Sequence, residues 1–494
     1  MGESSVTLPT FRVQDKPVGE PAAAPEISAR FDPARSTILR AVSKLDLIIR
    51  GGTVVTAREV LRADIGVQDG RIVAFQPEFT EAADEIIEAA GWHALPGVID
   101  AHVHFNEPGR TEWEGLASGS RALAAGGGTL FFDMPLNSNP PVLDPASFHA
   151  KRTLAARESV ADFAIWGGLT PRNLEQVEPL AGCGVIGLKA FMCASGMDEF
   201  PAADERTLRE GMKRAAQMKL LVAVHAESEA TTRQLTEERA AHGVTTARDF
   251  LDSRPIEAEL EAIRVALDLA GETGCPLHIV HVSCGEGVAL VAAARARGVD
   301  ATCETCPHYL TLSEEDFLAQ GAVAKCAPPL RPLDARARLW QRLLAGEVAT
   351  VGSDHSPAPA ALKTGDDFFK IWGGIAGVQH TLPLLLHEGH HQRGLELPAV
   401  SRLLSHNVAL RFRLPPEKGG LKIGGDADIA LVDLGAEFEV QREELLDRHR
   451  LSPYVGRRLR GRVRRTLLRG QTIFSEGKIL PKPAPRLIKP LRNV

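Results

Sequence analysis

The chain has 494 residues, of which 44% are apolar and 24% charged, and 57 basic against 63 acidic side chains leave a formal charge of −6. That length holds a large core and more than one domain. No basic block marks a nucleic-acid footprint, no apolar run reaches membrane-spanning length, and the N-terminus lacks the apolar core of a secretory signal, so a cytoplasmic protein without membrane or nucleic-acid partners is expected.

Residues 1–44 are rich in Pro, Ala, Ser and charge and read as a poorly ordered tail. Residues 46–56 form two short strands around Gly51-Gly52, and residues 65–74 repeat the theme around Asp69-Gly70. The apolar stretch 95–100 then runs into His102-Val103-His104. Histidines one residue apart on a strand point to one face and can grip a divalent metal together. Further apolar runs end on ligand-type residues: 185–189 on Lys189, 220–225 on His225, 277–281 on His281 and 348–354 on Asp354. Residues 129–134, 163–167 and 299–304 supply three more strands. Helical patterns lie between them. Ile256, Leu260, Ile263 and Leu267, just after Pro255, make one face of a helix.

Eight strands alternating with helices over about residues 95–410 fit a (β/α)8 barrel, with a doubly wound open sheet as the alternative. A barrel would set His102, His104, Lys189, His225, His281 and Asp354 at the C-terminal ends of strands one, four, five, six and eight. Residues 424–433 and 465–474 read as strands again. With residues 45–96 they would build one small β-sandwich split in sequence. The expected division is 45–96 and 416–480 for the sandwich, 97–415 for the barrel and 481–494 for a C-terminal tail. The locally basic stretch 457–469 reads as a solvated or subunit-facing face. Seven scattered cysteines, an odd number, argue against a disulfide framework, and Cys303 and Cys306 lack the second pair that a zinc knuckle needs.

The order His-x-His, Lys, His, His, Asp resembles the cyclic-amidase branch of the amidohydrolase superfamily, which holds dihydroorotases, hydantoinases and allantoinases. Pro96-Gly97-Val98-Ile99-Asp100-Ala101-His102-Val103-His104 and Gly352-Ser353-Asp354-His355-Ser356-Pro357 carry the resemblance. Within the branch, residues 104–115, Lys189-Ala190-Phe191-Met192 and residues 303–309 are most similar to allantoinases. The resemblance implies two divalent metals, a carboxylated Lys189 bridging them, hydrolysis of a ring amide and a homotetramer. His102 and His104 would hold the more buried metal with Asp354, and His225 and His281 the other. Zinc is the first expectation, and cobalt, manganese or iron suit the same donors.

Two metals about 3.5–4 Å apart can hold a bridging hydroxide and polarise a carbonyl. A lysine ammonium has no lone pair, so Lys189 can ligate only after CO2 has made it a carbamate. Asp354 could also carry the proton from the hydroxide to the leaving nitrogen. Glu227 could hydrogen-bond a ligand imidazole. His278 reads as a packing residue, His308 as a loop or pocket-wall residue, and His355 has no ligand role.

Substrate choice turns on few positions. Dihydroorotase-like proteins have an arginine where Asn106 stands, suited to a ring carboxylate. Dihydropyrimidinase-like proteins have a tyrosine shortly after the bridging lysine, and Phe191-Met192-Cys193-Ala194-Ser195 has none. Both departures favour allantoin, a cyclic ureide, with Asn106, Asn137, Cys326, Ala327 and Ser356 as substrate-binding candidates. A hydantoinase of broader range shares all six ligands and is the alternative. A non-catalytic scaffold would have lost some of them.

Overall fold

The computed structural model describes residues 44–241, 243, 245–481 and 483–491, so the tail expected over 1–44 lies, Lys44 apart, outside the described residues. Eight parallel strands form the centre: Val98–Val103, Gly128–Asp133, Asp162–Ile165 continued by Gly167–Gly168, Leu188–Phe191, Val222–His225, Leu277–Ile279, Ala301–Thr305 and Thr350–Val351. Each pairs in parallel with the next. The ring closes just past the eighth strand, where His355 bridges Val103 and its carbonyl accepts the His104 amide at 2.8 Å. The sheet is therefore a closed (β/α)8 barrel and not the open alternative. Its strands are buried along nearly their whole length because helices cover them from outside.

The helix expected after Pro255 spans Ile256–Thr273, with Pro255 as its N-cap. Its buried face is rotated from the one that the large side chains suggest. Ala258, Glu259, Ala262, Ile263, Ala266, Leu267 and Ala270 are buried, while Ile256 and Leu260 are only partly so. The alanines let the helix approach closely, and Glu259 is held by Ser283 and Arg331.

The chain ends join as a β-rich domain. Asp64–Gln68 and Arg71–Gln76 pair across Asp69-Gly70. The Gly51-Gly52 step does not fold its two strands onto each other. Leu45–Arg50 joins one sheet, beside Asp64–Gln68 and Ala83–Glu88, and Thr53–Val55 joins another, beside Val60–Arg62 and His93–Pro96. In that second sheet His93–Pro96 pairs with Ile429–Glu439, followed by Arg458–Leu468 and Gln471–Ser475. The apolar stretch 95–100 is thus two strands in two sheets, parted at Gly97. A Cβ there would fall 2.3 Å from Thr129 Oγ1, so only glycine lets the chain cross so close to the second barrel strand.

Arginines of the stretch 457–469 are paired within the chain: Arg457 with Asp316, Arg462 with Glu444, Arg464 with Asp433, Arg465 with Glu85 and Arg469 with Asp162. The last pair belongs to a buried charge cluster under the barrel. Lys418 Nζ lies 2.7 Å from Asp162, 2.9 Å from Asp426 and 2.7 Å from Asp428. The C-terminal stretch docks there too. The Arg486 amide donates to Asp162, Leu487 bridges Phe163, and Ile488 is buried.

Lys418→Met takes the shared cation from Asp426 and Asp428 and leaves Asp162 to Arg469 alone, and is expected to cost about 3–5 kcal/mol in urea unfolding. His380 is buried, and burial alone lowers its pKa to about 4 from 6.5. The unfolded chain therefore binds the extra proton between pH 6.5 and 4. Stability is lost as pH falls through that window, by on the order of 3 kcal/mol. Unfolding midpoints of His380→Gln should fall less steeply there than those of the parent chain.

Candidate metal centre

The barrel carries the predicted donors to one mouth. His102 lies on the first strand and His104 directly after it, Lys189 lies on the fourth strand, and His225 ends the fifth. His281 and Asp354 follow the sixth and eighth strands. Both adopt positive φ, 40° and 45°, as do Asn106 and Asn137 nearby, at 64° and 68°. A non-glycine residue held so costs about 1–3 kcal/mol, and such positions cluster where a side chain must be aimed.

His102 Nε2 and His104 Nε2 lie 3.2 and 3.3 Å from Asp354 Oδ1. Beside them His225 Nδ1 faces His281 Nε2 at 3.0 Å. Two nitrogens sharing an ion at about 2.0–2.1 Å sit roughly 3.3 Å apart in a tetrahedral shell, so both groups have the spacing of a divalent-metal site. Lys189 is wholly buried behind the mouth, and its Nζ has no hydrogen-bond partner. Burial pulls its pKa to about 7 against the nearby Asp354 and Glu304 carboxylates. A buried amine without a hydrogen-bond partner is costly, and Nζ lies 4.7 Å from the centroid of the Phe191 ring.

Each histidine pair has a carboxylate behind it. Glu304, which ends up beside His102 from the seventh strand, accepts from His102 Nδ1 at 2.8 Å, so Nε2 is left to face Asp354. Glu227 sits 2.7 Å from His225 Nε2, so Nδ1 is left to face His281. Burial would raise both carboxyls, but the His102 ring on one side and Arg254 with the His225 ring on the other hold each at about 2. Asp354 is held well below the usual carboxylate range, because the charges and hydrogen bonds of His102 and His104 outweigh its burial. Burial lowers the His104, His225 and His281 pKa values, which favours the neutral, metal-binding imidazole. Asn137 Nδ2 lies 3.3 Å from His104 Nδ1. A half-turn of the amide would let its oxygen accept from Nδ1–H and free Nε2 for an ion.

The mouth opens into a cavity of about 360 Å3. Asn137, Cys326, Ala327 and Ser356 line it, with Phe369, Ile371 and Trp372 as an apolar wall. Asn106 is not among the lining residues. It is fully buried, with its amide nitrogen 3.4 Å from the Pro357 carbonyl. His278 bonds Thr302 at 2.7 Å, His355 Nδ1 accepts the Gly377 amide at 3.1 Å, and His308 is buried away from the cavity. All seven cysteines are free. Glu304 and Arg254 had no role in the sequence reading. Glu304 is reached only through the fold, where it packs against Gly352 so closely that a Cβ there would meet its Oε2 at 2.6 Å.

The amidohydrolase family model matches residues 93–473, the whole barrel and most of the second part of the β-rich domain. The chain belongs to the amidohydrolase family. That membership brings divalent-metal binding and agrees with the His102–His104–Asp354 group. The chain is 55% identical to an allantoinase of Solibacter usitatus, over 91% of this chain and 98% of that protein. It is 52% identical to an allantoinase of Deinococcus radiodurans, over 90% and 99%. Among solved structures the L-hydantoinase of Arthrobacter aurescens superposes with a TM-score of 0.88 at 31% identity, over 90% of this chain and 100% of that one.

Glu304→Gln removes the charge that fixes the His102 ring. It is expected to weaken divalent-metal binding by about 10–100-fold in calorimetric titration with Zn2+ or Co2+, with thermal unfolding of the metal-free chain little changed.

Proposed function

We infer that this amidohydrolase hydrolyses the hydantoin ring amide of allantoin to allantoate, a step of purine and ureide breakdown. The observation that carries the reading is the convergence of five ligand-type side chains at one cavity, with Lys189 buried behind them, in a chain more than half identical to allantoinases along nearly its full length. The solved neighbours are hydantoinases, but at 31% identity they stand further off. Where dihydropyrimidinase-like proteins carry the tyrosine of their Phe-Met-Ala-Tyr phrase, this chain has Ala194, which lines the cavity. The intact donor set speaks against a non-catalytic scaffold.

His102, His104 and Asp354 would hold one ion and His225 and His281 the other, with Lys189 between them as its N6-carboxy derivative. Forming that carbamate joins the neutral amine to CO2 and releases one proton, and the two oxygens it adds to Nζ would give the buried end of Lys189, which has no hydrogen-bond partner, two donor atoms for the ions. Zinc suits these nitrogen and oxygen donors. Ions held there would supply Lewis-acid polarisation of the amide carbonyl and a lowered pKa for water. Asp354 is ionised and can take the proton of the attacking water and return it to the departing ring nitrogen. Asn137, Ser356 and the backbone at Cys326 and Ala327 offer hydrogen bonds to the ureido group, while Phe369, Ile371 and Trp372 keep bulk water from the reacting carbonyl.

Free thiols, buried except at the half-buried Cys183, suit a reducing compartment and support a cytoplasmic location. Among the described residues no helix is long and apolar enough to cross a membrane. Assembly as a homotetramer rests on the family resemblance.

Metal- and bicarbonate-supplied protein should prefer allantoin over dihydroorotate, hydantoin and dihydrouracil by more than about 100-fold in kcat/KM, roughly 2.7 kcal/mol of transition-state binding. A preference for hydantoin would move the assignment to the hydantoinases. Lys189→Ala should lose activity and metal together, with partial recovery in added formate or acetate. Metal content and turnover equal to the parent would remove the bridging role.

A further inference from the structure

We propose that Arg254 is a positioning residue for the His225–His281 half of the centre, acting through Glu227; this rests on the two-metal reading above. Arg254 NH1 donates to Glu227 Oε2 at 2.6 Å, and the same oxygen lies 2.7 Å from His225 Nε2. One carboxylate oxygen therefore serves both a guanidinium and an imidazole. The other, Glu227 Oε1, is buried with no hydrogen-bond partner. The chain of contacts runs Arg254, Glu227, His225, His281, and its last link is the pair of nitrogens that faces the ion position.

Arg254 is itself fixed from behind. Its carbonyl accepts Arg331 NH1 at 2.6 Å, and Arg331 also donates to Ser283 Oγ at 2.8 Å and to Glu259 Oε2 at 3.0 Å. Arg331 and Glu259 are both buried. The side chain of Arg254 crosses the Phe250 ring at 5.7 Å and reaches the cavity wall. A guanidinium held at its backbone and along its length has little freedom to leave Glu227.

Cys193, His225 and Glu227 lie close enough together to hold a metal ion. Arg254 NH1 stands 4.0 Å from Cys193 Sγ and within hydrogen-bond reach of Glu227, so the positive charge of that spot is already supplied. The consequence falls on His225. With Glu227 drawn onto Nε2, the ring keeps its proton there and offers the Nδ1 lone pair toward His281. Without the guanidinium, Glu227 would lose both its counter-charge and its aim.

The test is titration of the metal-free chain with Co2+, followed by the visible absorption of each bound ion, on the parent and on Arg254→Met, Arg254→Lys and Glu227→Gln. Arg254→Met is expected to weaken one of the two ions by about 10–100-fold and to leave the other unchanged. Arg254→Lys should recover part of that loss. In the Glu227→Gln background Arg254→Met should add nothing, because its effect passes through the carboxylate. If Arg254→Met does not fold, Arg254→Lys carries the comparison, with a smaller weakening of the same single ion. Two ions at parental affinity, an equal loss of both, or an undiminished loss in the Glu227→Gln background would overturn the proposal and leave the two-metal reading standing. A parent chain that takes up fewer than two ions would overturn that reading instead.

Discussion

The mouth of the barrel depends on the seam between the first and eighth strands. There the His104 amide meets the His355 carbonyl, and the Ser353 amide meets Asp100 Oδ1 at 3.0 Å. That seam brings Asp354 from the far end of the barrel sequence against His102 and His104. An open sheet with the same strands would leave the two histidines and the aspartate on opposite edges. Closure is a topological event, and one set of backbone bonds converts it into a cluster of donors within 3.3 Å of a shared oxygen.

Around that cluster the chain sets the rings before any ion is considered. An imidazole has two nitrogens, and the partner of one decides what the other can do. Glu304 takes Nδ1 of His102, whereas Glu227 takes Nε2 of His225. The two halves are thus oriented through opposite ring nitrogens, and each uses a carboxylate that is itself out of water. A buried carboxylate is tolerated only when its charge is met. Glu304 is met by His102 and, at 4.0 Å, His278, and Glu227 by His225 and Arg254. The positive φ values of His281 and Asp354 belong to the same arrangement, since each aims a side chain across the mouth at a backbone cost.

The opposite end of the barrel is built from similar groups for a different purpose. Asp162, Lys418, Asp426, Asp428 and Arg469 are closely paired, and they join the third strand to the β-rich domain and the C-terminal stretch. Charges there are satisfied by one another. Near the mouth, Lys189 Nζ, His281 Nδ1 and Glu227 Oε1 have no hydrogen-bond partner. Paired charge at the N-terminal face reads as stability, and ionisable groups gathered at the C-terminal face read as chemistry.

Sequence alone determined the eight strands, the helix after Pro255 and the placing of His102, His104, Lys189, His225, His281 and Asp354 at one end of the barrel. Each of these lies at or just past an apolar run, and a strand's period places its last side chains at the barrel mouth. The meeting of the two chain ends in one β-rich domain was legible for the same reason. Other features were decided only in three dimensions. Gly97 parts one apolar run into two sheets because of Thr129, which is close in space and not in sequence. Large side chains marked only part of the buried stripe of the helix Ile256–Thr273, where Ile263 and Leu267 are buried but Ile256 and Leu260 only partly so, since close approach there is set by alanines and a buried Glu259. The buried place of Asn106, the role of Glu304 and the clamp of Arg254 on Glu227 depend on neighbours brought by other strands and loops. Periodicity reports which way a side chain leaves its own strand, and only the closed barrel reports what it meets.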